Sequence, residues 1–181
     1  MSRVSALQAV AFTLALAAAP AAVNAQGLVT THKISAQLAN QLVGDSVANC
    51  AKNGYKVVAV VVDLDGVRQA LLRGDGAPIH SMDNAYYKAY TIASLGLARK
   101  EETTKQMADR MAKAAPTTVP QTQLPNVTYA QGGIAVMHNG ATIAGFGVSG
   151  APGGNFDEAT ALRAGHAFQG ATDWHFRQPT L

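Results

Sequence analysis

The chain has 181 residues, 14 Lys and Arg against 11 Asp and Glu, and a single cysteine. That length suits one domain with its own core. A net charge of +3, with no basic run interleaved with aromatics, argues against a nucleic-acid partner, and one cysteine cannot close a disulfide within the chain.

The first 25 residues read as an export signal. Arg3 gives a positive start, Ala9 to Ala19 is apolar except for Thr13, and Val23-Asn24-Ala25 is a small-residue cleavage site. The apolar run is too short to span a bilayer. The expectation is a cleaved signal peptide over 1–25 and a periplasmic or secreted bacterial protein with no membrane span once it is removed.

Leu28 to Ile34 is rich in β-branched residues and predicts a first strand. Ser35 suits the cap of a helix running to Asn53-Gly54, with Leu38, Leu42, Val43, Val47, Cys50 and Ala51 on its apolar face. Cys50 therefore reads as a small core hydrophobe. Val57 to Asp63 is continuously apolar, as expected of a strand covered on both faces. Asp65-Gly66 turns the chain back into Val67–Arg73 and places Asp63 opposite Arg68 as an exposed pair.

After the Gly74–Pro78 loop, Ser81 caps a helix carrying Tyr86, Tyr87, Lys88 and Tyr90 on a stripe of small residues. A further helix runs from Lys100 to Lys113, with Glu101 four residues before Lys105 and Met107 and Met111 facing inward. Ala114 to Gln131 contains Pro116, Pro120 and Pro125 and has no periodicity. Its length marks it as functional or as a wrapping arm.

Gly132 to Gly170 forms strand, turn, strand, bend and helix. Asn139-Gly140 suits a type I′ turn, with Val136 opposite Ile143 and Met137 opposite Thr142. Asn155 is the expected helix cap, with Glu158 reaching back to it and Asp157 in the first turn. Ala161, Leu162, Gly165 and Phe168 make the apolar stripe. The order β-α-β-β-α-α-loop-β-β-α predicts an α+β domain: one antiparallel five-stranded sheet flanked by helices.

No catalytic constellation stands out. Gly145 to Gly150 matches G-x-G-x-x-G, but too little chain follows for the second parallel strand of a dinucleotide fold. The bland alternative is close approach of a helix or ligand. His32, His80, His138, His166 and His175 include no i, i+4 pair. His80, in a loop at a helix start, is the best candidate among them. Asp157 and Glu158 are explained by capping. Lys88 reads either as a contact for a phosphate, carboxylate or propionate or as a solvated helix lysine. Tyr86, Tyr87 and Tyr90 either stack on a flat ligand or pack on the sheet or a neighbouring subunit.

Several short motifs nonetheless occur in a recognisable order. Val61-Val62-Asp63 with Gly66, Leu72 to Gly76, Lys88 to Ala93, Gly132-Gly133, Gly145 to Gly150, Asp157-Glu158 and Ala164-Gly165 together resemble the GlcG/HbpS family, over roughly residues 34–168. The resemblance implies a profilin-like fold over 26–170 with a C-terminal tail at 171–181, and assembly into homo-oligomers.

It further implies an exported haem binder, with weak haem-degrading activity or a role in haem and iron sensing beside a sensor-protein partner. Through that resemblance the chain is also similar to the C-terminal module of PduO-type proteins. The alternatives are a non-catalytic accessory or signalling protein and a binder of a corrinoid or a small carboxylate; enzymatic turnover is left open.

In members, haem lies near the segment before the double glycine, here Asn126 to Gln131, which nominates Thr128 and Tyr129. His80, Tyr86 and Lys88, with Arg73, complete the expected slot and its propionate contacts. An acidic pair that one member uses for surface iron falls on Asp83 and Tyr86, where the second acid is missing. The family's Gly-x-Pro-Thr after the tyrosine helix is replaced here by Gly96-Leu97-Ala98-Arg99.

Overall fold

The computed structural model describes residues 27, 29–114 and 124–169, with the side chains of the last helix as far as residue 164. Thr31–Leu181 forms one compact unit. The expected signal peptide, Leu28, Pro116, Pro120 and the tail with Trp174 and His175 lie outside the described residues, as do the side chains of His166 and Phe168.

Four strands, β1 (Val58–Val62), β2 (Arg68–Arg73), β3 (Gly133–His138) and β4 (Ala141–Ser149), pair in the order β2-β1-β4-β3. Every neighbouring pair is antiparallel. Helix α1 (Ala36–Lys52) and helix α5 (Gly154–Gln169) cover one face. Helix α2 (His80–Thr91) covers the other and continues through a π-helical turn, Ile92–Gly96, into the short α3 (Leu97–Arg99). Helix α4 (Thr104–Lys113) follows. No described helix is long and apolar enough to cross a membrane.

The α+β fold with a single antiparallel sheet is as expected, but the described residues hold four strands, not five. Residues 29–34 form no strand. Ile34 is drawn into the core instead, and Lys33 reaches Asp63 and Asp65 at 3.3 and 2.9 Å.

The local signals behave according to their physics. The Ser35 hydroxyl caps α1, accepting the Leu38 N–H at 3.2 Å. Asn139 and Gly140 both adopt positive φ, 49° and 76°, as a type I′ turn requires. Met137 lies opposite Thr142, whereas Val136 lies opposite Ala144 and not Ile143. An irregularity between Val136 and Met137 absorbs the extra residue.

A second irregularity, at Val61/Val62, puts Arg68 opposite Val62. The expected exposed Asp63–Arg68 pair is therefore absent. Asp63 is buried and accepts the N–H groups of Asp65 and Val67 at 3.0 Å, while Arg68 lies 3.6 Å over the Tyr86 ring. Lys100 does not begin a helix; it ends α3 with φ 57°. Glu101 pairs with Arg110 at 2.6 Å and Lys105 with Asp109 at 2.5 Å, in place of the expected Glu101–Lys105 pair.

The two faces are packed by different means. Towards α1 and α5 the sheet presents Val61, Val136, Phe146 and Val148, all buried. Cys50 is fully buried there, its thiol donating to Thr160 Oγ1 at 3.3 Å, and burial pushes that thiol up. Towards α2, strand β4 presents glycine. A Cβ on Gly145 would lie 2.1 Å from the Ala89 carbonyl oxygen, and one on Gly147 would lie 2.1 Å from that of Ala85. The G-x-G pattern thus seats a helix backbone directly on a sheet.

Candidate functional site

Close seating of α2 has a chemical consequence. Ala85 and Ala89 of α2, with Ala93 of the π-helical turn, lie against the sheet, and Lys88, one residue from that stripe, is only 2% exposed. A buried ammonium requires a counter-charge. The Lys88 Nζ donates to Asp157 Oδ2 and to the Val148 carbonyl oxygen, both at 2.8 Å.

Gly132, at φ 121°, makes room for the pair. A Cβ there would lie 2.7 Å from the Asp157 Cβ and 2.8 Å from Lys88 Nζ. Burial lowers the Lys88 ammonium below its ordinary value against the pull of Asp157. Burial likewise raises the Asp157 carboxyl against the pull of Lys88. Lys88 is therefore not a solvated helix lysine.

Neither expected cap forms. Helix α5 starts at Gly154, and Asn155 is exposed within its first turn. The Asp157 carboxylate turns back to accept the Ala151 N–H at 2.9 Å. Glu158 is buried, its Oε2 without a partner among the described residues, and burial raises its carboxyl. Helix α2 starts at His80, has no side-chain cap, and buries Ser81 completely.

A cavity of about 290 Å³ lies beside the ion pair, lined by His80, Ser81, Asn84, Lys88, Gln131, Ser149, Gly154 and Asp157 among others. Asn84 Nδ2 donates to Ser149 Oγ at 3.0 Å across it. The volume is at the lower end of the roughly 300–1,000 Å³ typical of small-molecule pockets, and the walls are polar.

The residues nominated from sequence fall in four places. His80 and Lys88 share this cavity. Tyr86 lies at the β1–β2 turn, its hydroxyl donating to the Gly66 carbonyl oxygen at 3.2 Å. Arg73, on β2, donates its Nε–H to the Ala77 carbonyl oxygen at 2.8 Å.

Thr128 and Tyr129 lie beside the π-helical turn. The Thr128 N–H donates to Thr91 Oγ1 at 2.9 Å, and half-buried Tyr129 packs on Ile92, Met107 and Ala135, with Leu95 and Met137 at the margin. An open hollow of about 640 Å³ runs along α4, lined by Gln106, Asp109, Arg110, Lys113 and Ala114. Arg110 is within electrostatic reach of Tyr129. His32 and His138 meet edge to face, ring centroids 5.5 Å apart, but no cluster of three metal-binding side chains occurs among the described residues.

Sequence reasoning missed Ser81, Asn84, Gln131, Ser149 and Asp157 as walls of one cavity. One signal was present: a lysine beside a stripe of alanines that faces a glycine-bearing strand has to be buried, and Asp157 comes three residues after the glycine-rich bend.

Comparison with known proteins places this geometry. A family model described as "Haem degrading protein HbpS-like" matches residues 34–165. The crystal structure of HbpS is 35% identical, with a TM-score of 0.68 over 78% of this chain and 94% of that one. A double mutant of HbpS from Streptomyces reticuli is 37% identical, with a TM-score of 0.69 over 84% and 97%. The structure of a PduOC:heme complex is 25% identical, with a TM-score of 0.65 over 75% and 95%.

A stretch of 42 residues is also 55% identical to part of a glutamyl-tRNA(Gln) amidotransferase polypeptide of Ralstonia pickettii (strain 12J); it spans 20% of this chain and only 8% of that polypeptide, so it carries no argument about activity. The family model takes in α1 through most of α5, including both members of the buried ion pair: the chain belongs to the HbpS-like family.

Proposed function

We propose that this chain is an exported haem-binding protein. The observation that carries the reading is the likeness to a protein held in complex with haem, over 95% of that protein's chain, within a family described as haem-degrading. Haem needs an apolar surface, an axial donor and cations near its propionates. Tyr129 offers a phenol oxygen at the edge of the Ile92–Met107–Ala135 cluster, and Thr128 precedes it. Arg110 and Lys113 line the neighbouring hollow. The leader expected over 1–25 supports export.

Haem, once bound, supplies the iron chemistry; the chain's part is to hold and shield it. The test is titration of the mature chain with haemin, following the Soret band. A shifted band is expected, with binding about tenfold weaker in Tyr129→Phe. A spectrum identical to free haemin at micromolar protein overturns the reading. Tyr86→Phe, His80→Ala, Lys88→Met and Thr128→Val show whether the other nominated residues contribute. Bleaching of the bound Soret band by peroxide reports degradation.

A homo-oligomer is the second part of the proposal. Edge strand β2 carries Leu71 and Leu72 exposed, and Val67 and Ile79 flank it at 60% and 77% exposure. Light scattering on the purified chain should give a mass of several protomers, and Leu72→Lys should lower it.

A further inference from the structure

The cavity between the starts of α2 and α5 has a different chemistry from the apolar cluster beside Tyr129. Ser81 is fully buried and stands in the cavity wall, and its hydroxyl has no partner among the described residues. A buried hydroxyl left unsatisfied is destabilising, so native proteins rarely keep one without a bound group or water to complete it. Lys88 has three ammonium hydrogens and spends two, on Val148 and Asp157.

Two helices open at the cavity: α2 without a side-chain cap, and α5 at Gly154. Each helix start carries roughly half a positive charge. Asp157 balances Lys88 and buried Glu158 also acts on that ammonium, so what the two helix starts add at the cavity is a local positive potential. Asp83, in the first turn of α2, is exposed and outside the lining.

We infer that this cavity binds the carboxylate of a monoanionic acid, with the Ser81 hydroxyl and Lys88 ammonium as donors and the amides of Asn84 and Gln131 orienting the rest of the molecule. A carboxylate of that kind comes either from a free acid or from one propionate of a haem lying across the cavity mouth; only the second source rests on the haem-binding reading.

The experiment has two arms. In the first, acetate, lactate and pyruvate are titrated without haemin into ¹⁵N-labelled mature protein, and the amide signals of His80–Asn84 and Gly150–Gly154 are followed. In the second, haemin is compared with its dimethyl ester. Both arms are repeated on Ser81→Ala, which removes a hydroxyl with no partner and should leave the melting temperature unchanged or raised.

A free acid as ligand predicts saturable shifts at those amides, with about tenfold weaker binding in Ser81→Ala. A propionate predicts no shift with the small acids, but about tenfold weaker haemin binding both on esterification and in Ser81→Ala. Unshifted amides at saturating acid, with haemin and its ester binding alike to both proteins, overturn the inference. If haemin does not bind at all, the haem-binding reading fails and the first arm still decides.

Discussion

The two faces of the sheet are built on opposite principles. On the α1–α5 face, branched and aromatic side chains fill the space between layers, and stability scales with the volume of what is buried there. On the α2 face, glycines at 145 and 147 let a helix backbone rest on the strand, so stability depends on what is absent. Only the second kind of contact brings a lysine stem flat against the sheet and obliges its ammonium to find a carboxylate. Both the polar cavity and the Thr128–Tyr129 segment border that second face.

Substitutions that act oppositely on the two faces sharpen this contrast. The largest expected effect is Lys88→Ala, which leaves Asp157 buried and unpaired at a cost of about 3–5 kcal/mol. The double variant Lys88→Met/Asp157→Leu should recover most of it in chemical denaturation. Full loss in the double variant would mean that the pair matters beyond its charge.

Phe146→Ala, on the other face, should cost nearly as much, about 3–5 kcal/mol, by opening a cavity. Gly147→Ala adds a single methyl and should still cost about 1–3 kcal/mol through overpacking against the Ala85 carbonyl. A neutral result would show that α2 can lift from the sheet, and would break the contrast.

The smallest effect depends on pH. Burial raises the Asp63 carboxyl, but the Val67 N–H, the Lys33 ammonium and the Asp65 N–H outweigh it and hold its titration below the ordinary carboxylate range. A carboxylate with a depressed folded-state value stabilises above its unfolded value, about 3.9, and that share is lost as pH falls through the folded one. Asp63→Asn should therefore lower the melting temperature at pH 7 and flatten its decline as pH falls below about 4.

Legibility followed the range of the interaction. Asn139-Gly140, Ser35 and the apolar run of β1 carry their instructions in a few adjacent residues, and the structure follows them. The Ser81 and Asn155 caps failed because tertiary demands won: Ser81 is buried in the cavity wall, and the helix Asn155 was to cap already begins at Gly154. The glycines at 145 and 147 spelled a nucleotide motif only while α2 was out of view. Lys88 and Asp157 are 69 positions apart, so no local pattern could join them. The missing first strand is similar: β-branched composition favours a strand, but no neighbouring edge takes it up among the described residues.

The π-helical turn at Ile92–Gly96, in which the Leu97 N–H reaches back five residues to the Ile92 carbonyl, amounts to one surplus residue in an otherwise regular helix. Everything beyond it is rotated by about 100° relative to an uninterrupted α-helix. Excising a single residue there, such as Ser94, would re-phase Leu97–Arg99 while leaving Thr91 and its bond to the Thr128 backbone untouched. The helix thus has a spare residue that separates the fate of its far end from the segment anchored at Thr91.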